Sequence, residues 1–342
     1  MRLRLLRQLA IGVDLGTANT LISLEGKILV NEPSIVAIDP VTNKLLASGS
    51  IAMLMHEKTG TTIKTIKPLR DGVIADFSAA ELMIKSFTNQ IRKTSKNLIF
   101  SSYTMLFSVP TGITDVEKRA IKDSAVNSGA SEVLMIYEPV ASAVGAGLDV
   151  MSAEGILIVD IGGGTTQVAL ISLAGIVVEQ SIRTAGNTFN NDIIYYIKKE
   201  YNLLIGERTA EAVKIKIGTV LVDLDGDDTM FEVIGRDLLS GIPKSVKISF
   251  SETALALDRS IAKIEESIIK VLENSPPELS SDIHLNGLYI SGGGSLLRGL
   301  KERLGNKLGL KVMVVDDPSN SVIKGTSIIL NDMKKYSSII FS

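Results

Sequence analysis

Hydrophobic and polar positions alternate along this chain in blocks that predict an α/β protein, and two of the blocks share one design. In residues 158–170 an apolar run meets Asp160, passes Gly162, Gly163 and Gly164 with the hydroxyls of Thr165 and Thr166, and returns to an apolar run. Residues 11–22 repeat the order, with Asp14, Gly16, Thr17, Ala18 and Asn19 between two apolar runs. Each predicts two strands joined at a glycine turn that follows an aspartate. A third glycine cluster, Gly292, Gly293, Gly294 and Ser295, follows a strand pattern at 287–291 and opens a helix. A duplicated hairpin about one domain length apart predicts two similar lobes closing on one ligand.

The intervening pattern supplies the rest of the elements. Two short strands flank Pro33, and 53–67 reads as a small, polar, exposed subdomain. A helix is predicted over 78–93, with Ser78 as N-cap and Glu81 completing a capping box, and another from Thr114 to about 128, with Glu117 in the same role. The Glu138-Pro139 step opens a helix rich in small residues. Helices follow at 189–201 and from 207, then a strand pair, 219–222 with 230–235, turning at 225–228. After a long helix over 251–272 come a helix at 296–304, a strand at 312–315 and a helix over 321–333. Two stretches read in two ways. Leu3, Leu5 and Leu6 share a helical face opposite Arg4 and Arg7, as an interfacial anchor or as a lead-in to the first strand. Leu98, Ile99 and Phe100, between polar flanks, form either an exposed loop that inserts into a bilayer or the start of strand 104–110. The apolar tail, 337–342, is a partner or membrane contact or a frayed end.

Composition narrows the chemistry. With 342 residues, 45% hydrophobic and 22% charged, the chain can bury two cores. A net charge of −2 gives no basic field for nucleic acid. There is no cysteine, and the only histidines, His56 and His284, are expected in polar loops, so thiolate nucleophiles, disulfides, histidine triads and multi-histidine metal sites drop out. No apolar run reaches the roughly 18 residues of a spanning helix, and no signal peptide is legible, so the expected location is cytoplasmic.

What remains is carboxylates, hydroxyls, amides and a bound cation. Glycines without Cβ atoms let backbone N–H groups approach phosphate oxygens. An aspartate at a strand end suits Mg²⁺, which keeps most of its waters and takes one or two carboxylates plus phosphates. Glu138 at a helix start either polarises a water beside a terminal phosphate or simply suits the helix dipole. Glu211 and Lys214 share a helical face that holds a ribose or is merely solvated. The acidic turn 225–228 lacks a twelve-residue calcium loop.

Taken together these stretches resemble the actin, sugar kinase and heat-shock chaperone ATPase superfamily, and within it the MreB family of bacterial actins. The resemblance covers nearly the whole chain: residues 14–20, 31–34, 68–77, 109–114, 145–148, 160–166, 205–211 and 291–300, of which 72–77, 206–211 and 292–300 look specific to that family. It implies an α/β, actin-like two-lobed ATPase fold, each lobe a mixed sheet flanked by helices plus a small subdomain. The implied divisions are 1–32, 77–144 and 319–342 in subdomain IA, 33–76 in IB, 145–182 and 246–318 in IIA, and 183–245 in IIB. It also implies an ATP/ADP and Mg²⁺ site. There Asp14 and Asp160 hold the metal through water, and Gly16, Thr17, Ala18, Asn19 and Gly162 to Thr165 cradle phosphates. Gly186, Glu211, Lys214 and Gly292 to Ser295 hold the adenosine, while Glu138, Thr166 and Gln167 join Asp160 in catalysis.

By the same resemblance the protein forms homopolymeric, paired antiparallel filaments at the inner face of the cytoplasmic membrane. They determine cell shape or drive motility in a wall-less cell, and other actin paralogues or membrane-anchored shape proteins are partners. The family pattern has Glu where this chain has Tyr137 and Gln167, and Asp where it has Asn187, so slow hydrolysis is expected. A metabolite kinase would need a sugar site, and a chaperone a substrate-binding domain; neither is legible.

Overall fold

A computed structural model describes residues 9–94, 103–223 and 229–342. Leu3, Leu5, Leu6, Leu98, Ile99, Phe100 and the 225–228 turn lie outside the described residues. The chain divides into two compact units. One holds Met1–Ala153, Ile171–Ile176 and Ser319–Ser342; the other holds Glu154–Leu170 and Val177–Pro318.

The first unit begins with the hairpin β1 (Leu9–Leu15) and β2 (Asn19–Leu24), extended by β3 (Lys27–Pro33). Next come β4 (Val36–Ile38), β5 (Leu45–Ser48), α1 (Ser50–Met55) and β6 (Lys64–Ile66), which build a small sheet in the order β5-β4-β6. The stretch 53–67, expected as a polar subdomain, supplies the end of α1 and all of β6 to it. A two-strand ribbon, β7 (Leu69–Arg70) and β8 (Val73–Ile74), leads to α2 (Phe77–Thr94). Its cap is not the expected Ser78: Asp76 Oδ1 accepts the Ala79 N–H at 3.0 Å, because the helix starts one residue earlier. After α2 follow β9 (Tyr103–Val109), α3 (Asp115–Asn127), β10 (Glu132–Tyr137) and α4 (Glu138–Gly145). Thr114 and Glu117 form the predicted capping box on α3. The main sheet runs β10-β9-β1-β2-β3. β9 is buried at every residue, as parallel strands covered on both faces are.

The second unit repeats this plan. β11 (Ile156–Ile161), β12 (Thr166–Ser172) and β13 (Gly175–Ile182) precede α5 (Gly186–Tyr201), β14 (Leu203–Leu204) and α6 (Glu207–Ile217). A small sheet, β14-β15-β16, uses β15 (Met230–Asp237) and β16 (Pro243–Ser249). Residues 219–222, expected to pair with β15, instead lie along the 298 segment, where the Val220 N–H donates to the Arg298 carbonyl at 3.0 Å. β16 takes the pairing because it can match β15 along its whole length, Met230 opposite Ser249 to Arg236 opposite Pro243. α7 (Phe250–Glu273), capped by a Ser249–Glu252 box, is followed by α8 (Pro277–Asn286), which places His284 on a helix rather than in a loop. β17 (Leu288–Ser291), α9 (Leu300–Leu308) and β18 (Val312–Val314) complete the sheet β13-β12-β11-β17-β18. That order matches β3-β2-β1-β9-β10 of the first unit position for position.

α10 (Ser321–Asn331) belongs to the first unit and crosses α4 backbone to backbone. The tail beyond it is neither frayed nor free: Phe341 pairs with Met135 on β10, since an apolar end residue gains more against that strand than in water.

Candidate nucleotide site

Register puts the same constellation at the end of the central strand in both sheets. β1 runs parallel to β9 with Asp14 beside Ser108, and β11 runs parallel to β17 with Asp160 beside Ser291. In the first unit the Ser108 hydroxyl donates to Asp14 Oδ1 at 2.8 Å. Burial pushes the Asp14 carboxyl up to about 6, against the pull of that hydrogen bond. The turn after it is built around Gly16, where a Cβ would stand 2.6 Å from the Asn19 carbonyl oxygen. Ser34, which sequence reasoning did not single out, staples the turn: its N–H donates to the Ala18 carbonyl at 2.9 Å, and its hydroxyl to the Gly16 carbonyl at 2.5 Å. The Thr17 hydroxyl accepts the Gly72 N–H at 3.0 Å. Ala18 and Asn19 are exposed at the tip. Glu138 is partly exposed in the first turn of α4, with buried Pro139 next to it.

In the second unit Asp160 is 7% exposed. Its turn is closed by the Gly162 N–H on the Thr165 carbonyl at 2.9 Å. The N-terminus of α5 then docks onto the same turn, Gly186 N–H to the Gly162 carbonyl at 3.1 Å and Asn187 N–H to the Gly163 carbonyl at 2.7 Å. Gly292 has φ +77°, and a Cβ there would meet Asp160 Oδ1 at 2.6 Å and the Ile161 carbonyl oxygen at 2.3 Å, so only glycine lets the third cluster lie against Asp160. Ser295 is buried and its hydroxyl donates to the Gly292 carbonyl at 2.7 Å, so it closes the turn. Thr166 and Gln167 are buried in β12, and the Thr166 hydroxyl donates to the Thr184 carbonyl at 2.6 Å.

Glu211 and Lys214, which share a helical face as expected, form an ion pair, Nζ to Oε2 at 2.7 Å, and Lys214 also donates to the Gly186 carbonyl at 3.1 Å. The structure adds Asn190, 2% exposed, whose Nδ2 donates to the same Glu211 oxygen at 2.6 Å. Its position four residues after Gly186 on one helix was the signal available in the sequence. Two donors thus converge on Oε2 of Glu211. Gly186 keeps this corner shallow, because a Cβ there would come within 3.4 Å of Lys214 Nζ.

A family model described as MreB/Mbl protein matches residues 8–338. The chain belongs to the MreB/Mbl family. It is 45% identical to the cell shape-determining protein Mbl of Bacillus subtilis over 326 residues, covering 95% of this chain and 96% of that one. It is 42% identical to the cell shape-determining protein MreB of Escherichia coli over 338 residues, covering 97% and 96%. Among solved structures, MreB5 of Spiroplasma citri bound to ADP superposes with a TM-score of 0.90 at 39% identity, covering 96% of this chain and 98% of that one. The same protein bound to AMPPNP gives 0.90 at 40% identity with the same coverage. A MamK double helical filament gives 0.79 at 22% identity, covering 95% and 99%, and carries the fold alone. The fold is therefore actin-like, in an α/β chain with two mixed sheets flanked by helices.

Proposed function

We propose that this chain is a cytoskeletal ATPase: it binds ATP with Mg²⁺, hydrolyses it slowly and polymerises at the inner face of the cytoplasmic membrane to determine cell shape or, in a wall-less cell, shape and motility. The observation that carries the reading is the duplicated strand-end aspartate, each beside a serine and each followed by a glycine turn. Support comes from the relatives, which are cell shape-determining proteins, and from MreB5, solved with ADP and with AMPPNP.

The residues fit the absent groups. Asp14 has lost hydration, and a hydrated cation would restore favourable charge to it. Gly292 brings the third glycine cluster directly against Asp160, and Gly186 brings the start of α5 against the Gly162–Gly163 turn, approaches that a Cβ would obstruct. Asp14 and Asp160 would hold Mg²⁺ through water, and Gly16 to Asn19 with Gly162 to Thr165 would present N–H groups to phosphates. Bound Mg²⁺ supplies charge neutralisation on the phosphate oxygens. Glu138 accepts a proton from an attacking water, with α4 fixing its direction. Glu211, oriented by Asn190 and Lys214, accepts a ribose hydroxyl, and Gly292 to Ser295 flank the base. The four-subdomain division and an antiparallel pairing of filaments belong to the same reading.

Self-association needs a surface, and the β15–β16 turn offers one. Asp237 Oδ1 accepts the N–H groups of Leu239 and Ser240 at 2.9 and 2.8 Å. That rigid turn displays Leu239, 84% exposed, and Ile242, 63% exposed. Membrane contact is assigned to Leu3, Leu5 and Leu6 and to Leu98, Ile99 and Phe100; a filament repeats each weak contact, and avidity multiplies them.

Sedimentation with and without Mg-ATP, and with and without anionic liposomes, tests the whole reading. ATP-dependent pelleting without lipid is the expected result, with a gain on liposomes that disappears when residues 1–9 are removed or 98–100 are made polar. A protein that stays monomeric under every condition refutes it.

A further inference from the structure

β10 is the outermost strand of the first unit's main sheet, bordered on the sheet side by β9. The open side of such a strand presents N–H and C=O groups to any extended segment. Here the chain's own final residues take the place. The Met135 N–H donates to the Phe341 carbonyl at 2.7 Å, and the Phe341 N–H donates to the Met135 carbonyl at 3.0 Å. The Phe341 ring lies 4.8 Å from the Tyr137 ring, tilted by 44°. Lys118 Nζ, from α3, stands 5.6 Å from the Phe341 ring centroid. Buried Tyr336 and Ile339 anchor the segment that delivers Phe341.

The contact falls next to the chemistry assigned above. Tyr137 is the N-cap residue of α4, and it makes no side-chain capping hydrogen bond. Glu138 is the next residue. A helix start without a side-chain cap is held by what packs on it. On one side the backbone of 132–137 is held by β9, residue against residue, up to Tyr137 beside Val109. On the other side Phe341 holds Met135 by its backbone and Tyr137 by its ring. The direction in which Glu138 leaves the strand is thus set by a residue some two hundred positions later in the chain.

We infer that Phe341 is a positioning residue for Glu138. The tail latches onto Met135 and Tyr137, and the latch holds the strand end from which Glu138 and the first turn of α4 start. This rests on the reading of Glu138 as the water-polarising carboxylate. Among the described residues no hydrogen bond or ring contact joins Phe341 to Asp14, Gly16, Thr17, Asn19, Glu211 or Lys214, so releasing the latch leaves nucleotide affinity alone and slows turnover. Displacing a catalytic group by about 1 Å costs on the order of a hundredfold in rate; a loosened first turn is expected to cost about tenfold.

The test compares the full-length protein with Phe341→Ala and Phe341→Leu, and Tyr137→Ala with Tyr137→Phe. Three readouts are needed: ATP affinity, the phosphate-release rate at saturating Mg-ATP, and hydrogen exchange of the Met135 amide. Phe341→Ala is expected to speed Met135 exchange and lower turnover about tenfold at unchanged affinity, with Phe341→Leu recovering most of the rate. Tyr137→Phe should match wild type and Tyr137→Ala should not, which keeps the test decisive if Phe341→Ala does not fold. Faster Met135 exchange with wild-type turnover overturns the latch alone. Wild-type protein that binds ATP and never releases phosphate overturns the role of Glu138 and the latch with it.

Discussion

Replacing Gly145 with alanine tests how α4 is held. α4 and α10 meet without side chains between them: a Cβ on Gly145 would stand 1.8 Å from the Ser321 carbonyl oxygen and 2.8 Å from the Gly325 nitrogen. The reciprocal Cβ on Gly325 would stand 1.8 Å from the Ala141 carbonyl oxygen. Backbone atoms cannot rotate away, so the helices must part by roughly 1.5 Å to reach an ordinary contact of about 3.4 Å. Such overpacking costs about 1–3 kcal/mol. Separation also breaks the Ser142–Ser321 hydroxyl contact, 3.1 Å long, worth about 1 kcal/mol. Alanine's helix preference returns at most about 1 kcal/mol. The net loss expected is about 1–3 kcal/mol, or about 2–12 °C in the unfolding midpoint of a unit this size. Calorimetry or urea unfolding measures it, with Gly112→Ala as control, because a Cβ there meets nothing within 4 Å. Gly145→Ala combined with Gly325→Ala should cost less than the two separately, since one separation accommodates both. A Gly145→Ala midpoint within a degree of wild type, or strict additivity in the double variant, would refute the reasoning.

Other expectations concern the ligand site and the filament surface. Asn190→Ala removes a buried donor to a carboxylate, worth about 1.5–3 kcal/mol, so ATP affinity should fall about tenfold or more and the preference for ATP over 2′-deoxy-ATP should shrink; an unchanged preference detaches Asn190 from the ribose. Gln167→Glu is expected to raise steady-state phosphate release several-fold, and an unchanged rate sinks the idea that glutamine there slows hydrolysis. Leu239→Ser should leave stability within about 0.5 kcal/mol of wild type, as surface changes do, while shifting ATP-dependent pelleting to higher protein concentration. Asp237 is held down to about 2, chiefly by the Ser240 N–H. A lowered carboxyl stabilises the turn above the unfolded value and loses that contribution as pH falls through about 2. Hydrogen-exchange protection of the Leu239 and Ser240 amides should therefore hold at pH 5 and fade toward pH 2.

The sequence announced those parts of the fold that local chemistry alone determines. Asp14 and Asp160 were legible because an apolar run ending in aspartate and glycine has few other uses, and Thr114 with Glu117 because a capping box is closed within four residues. Asp76 displaced Ser78 as the cap of α2 because either residue can accept the hydrogen bond, and it is Asp76 Oδ1 that takes the Ala79 N–H. What was not legible depended on register between distant segments. Nothing local marks Ser108 and Ser291 as neighbours of the two aspartates; they become so only when β9 lies along β1 and β17 along β11. Ser34 and Asn190 are ordinary polar residues until the turn and the helix face they serve have formed. Phe341 is the extreme case. An apolar tail has many possible destinations, and its partner was fixed only once β10 stood at a sheet edge with Tyr137 beside it. Short motifs thus carry the proposed ligand groups, whereas the residues that orient those groups come from tertiary pairing, and there the sequence has no short-range signal to offer.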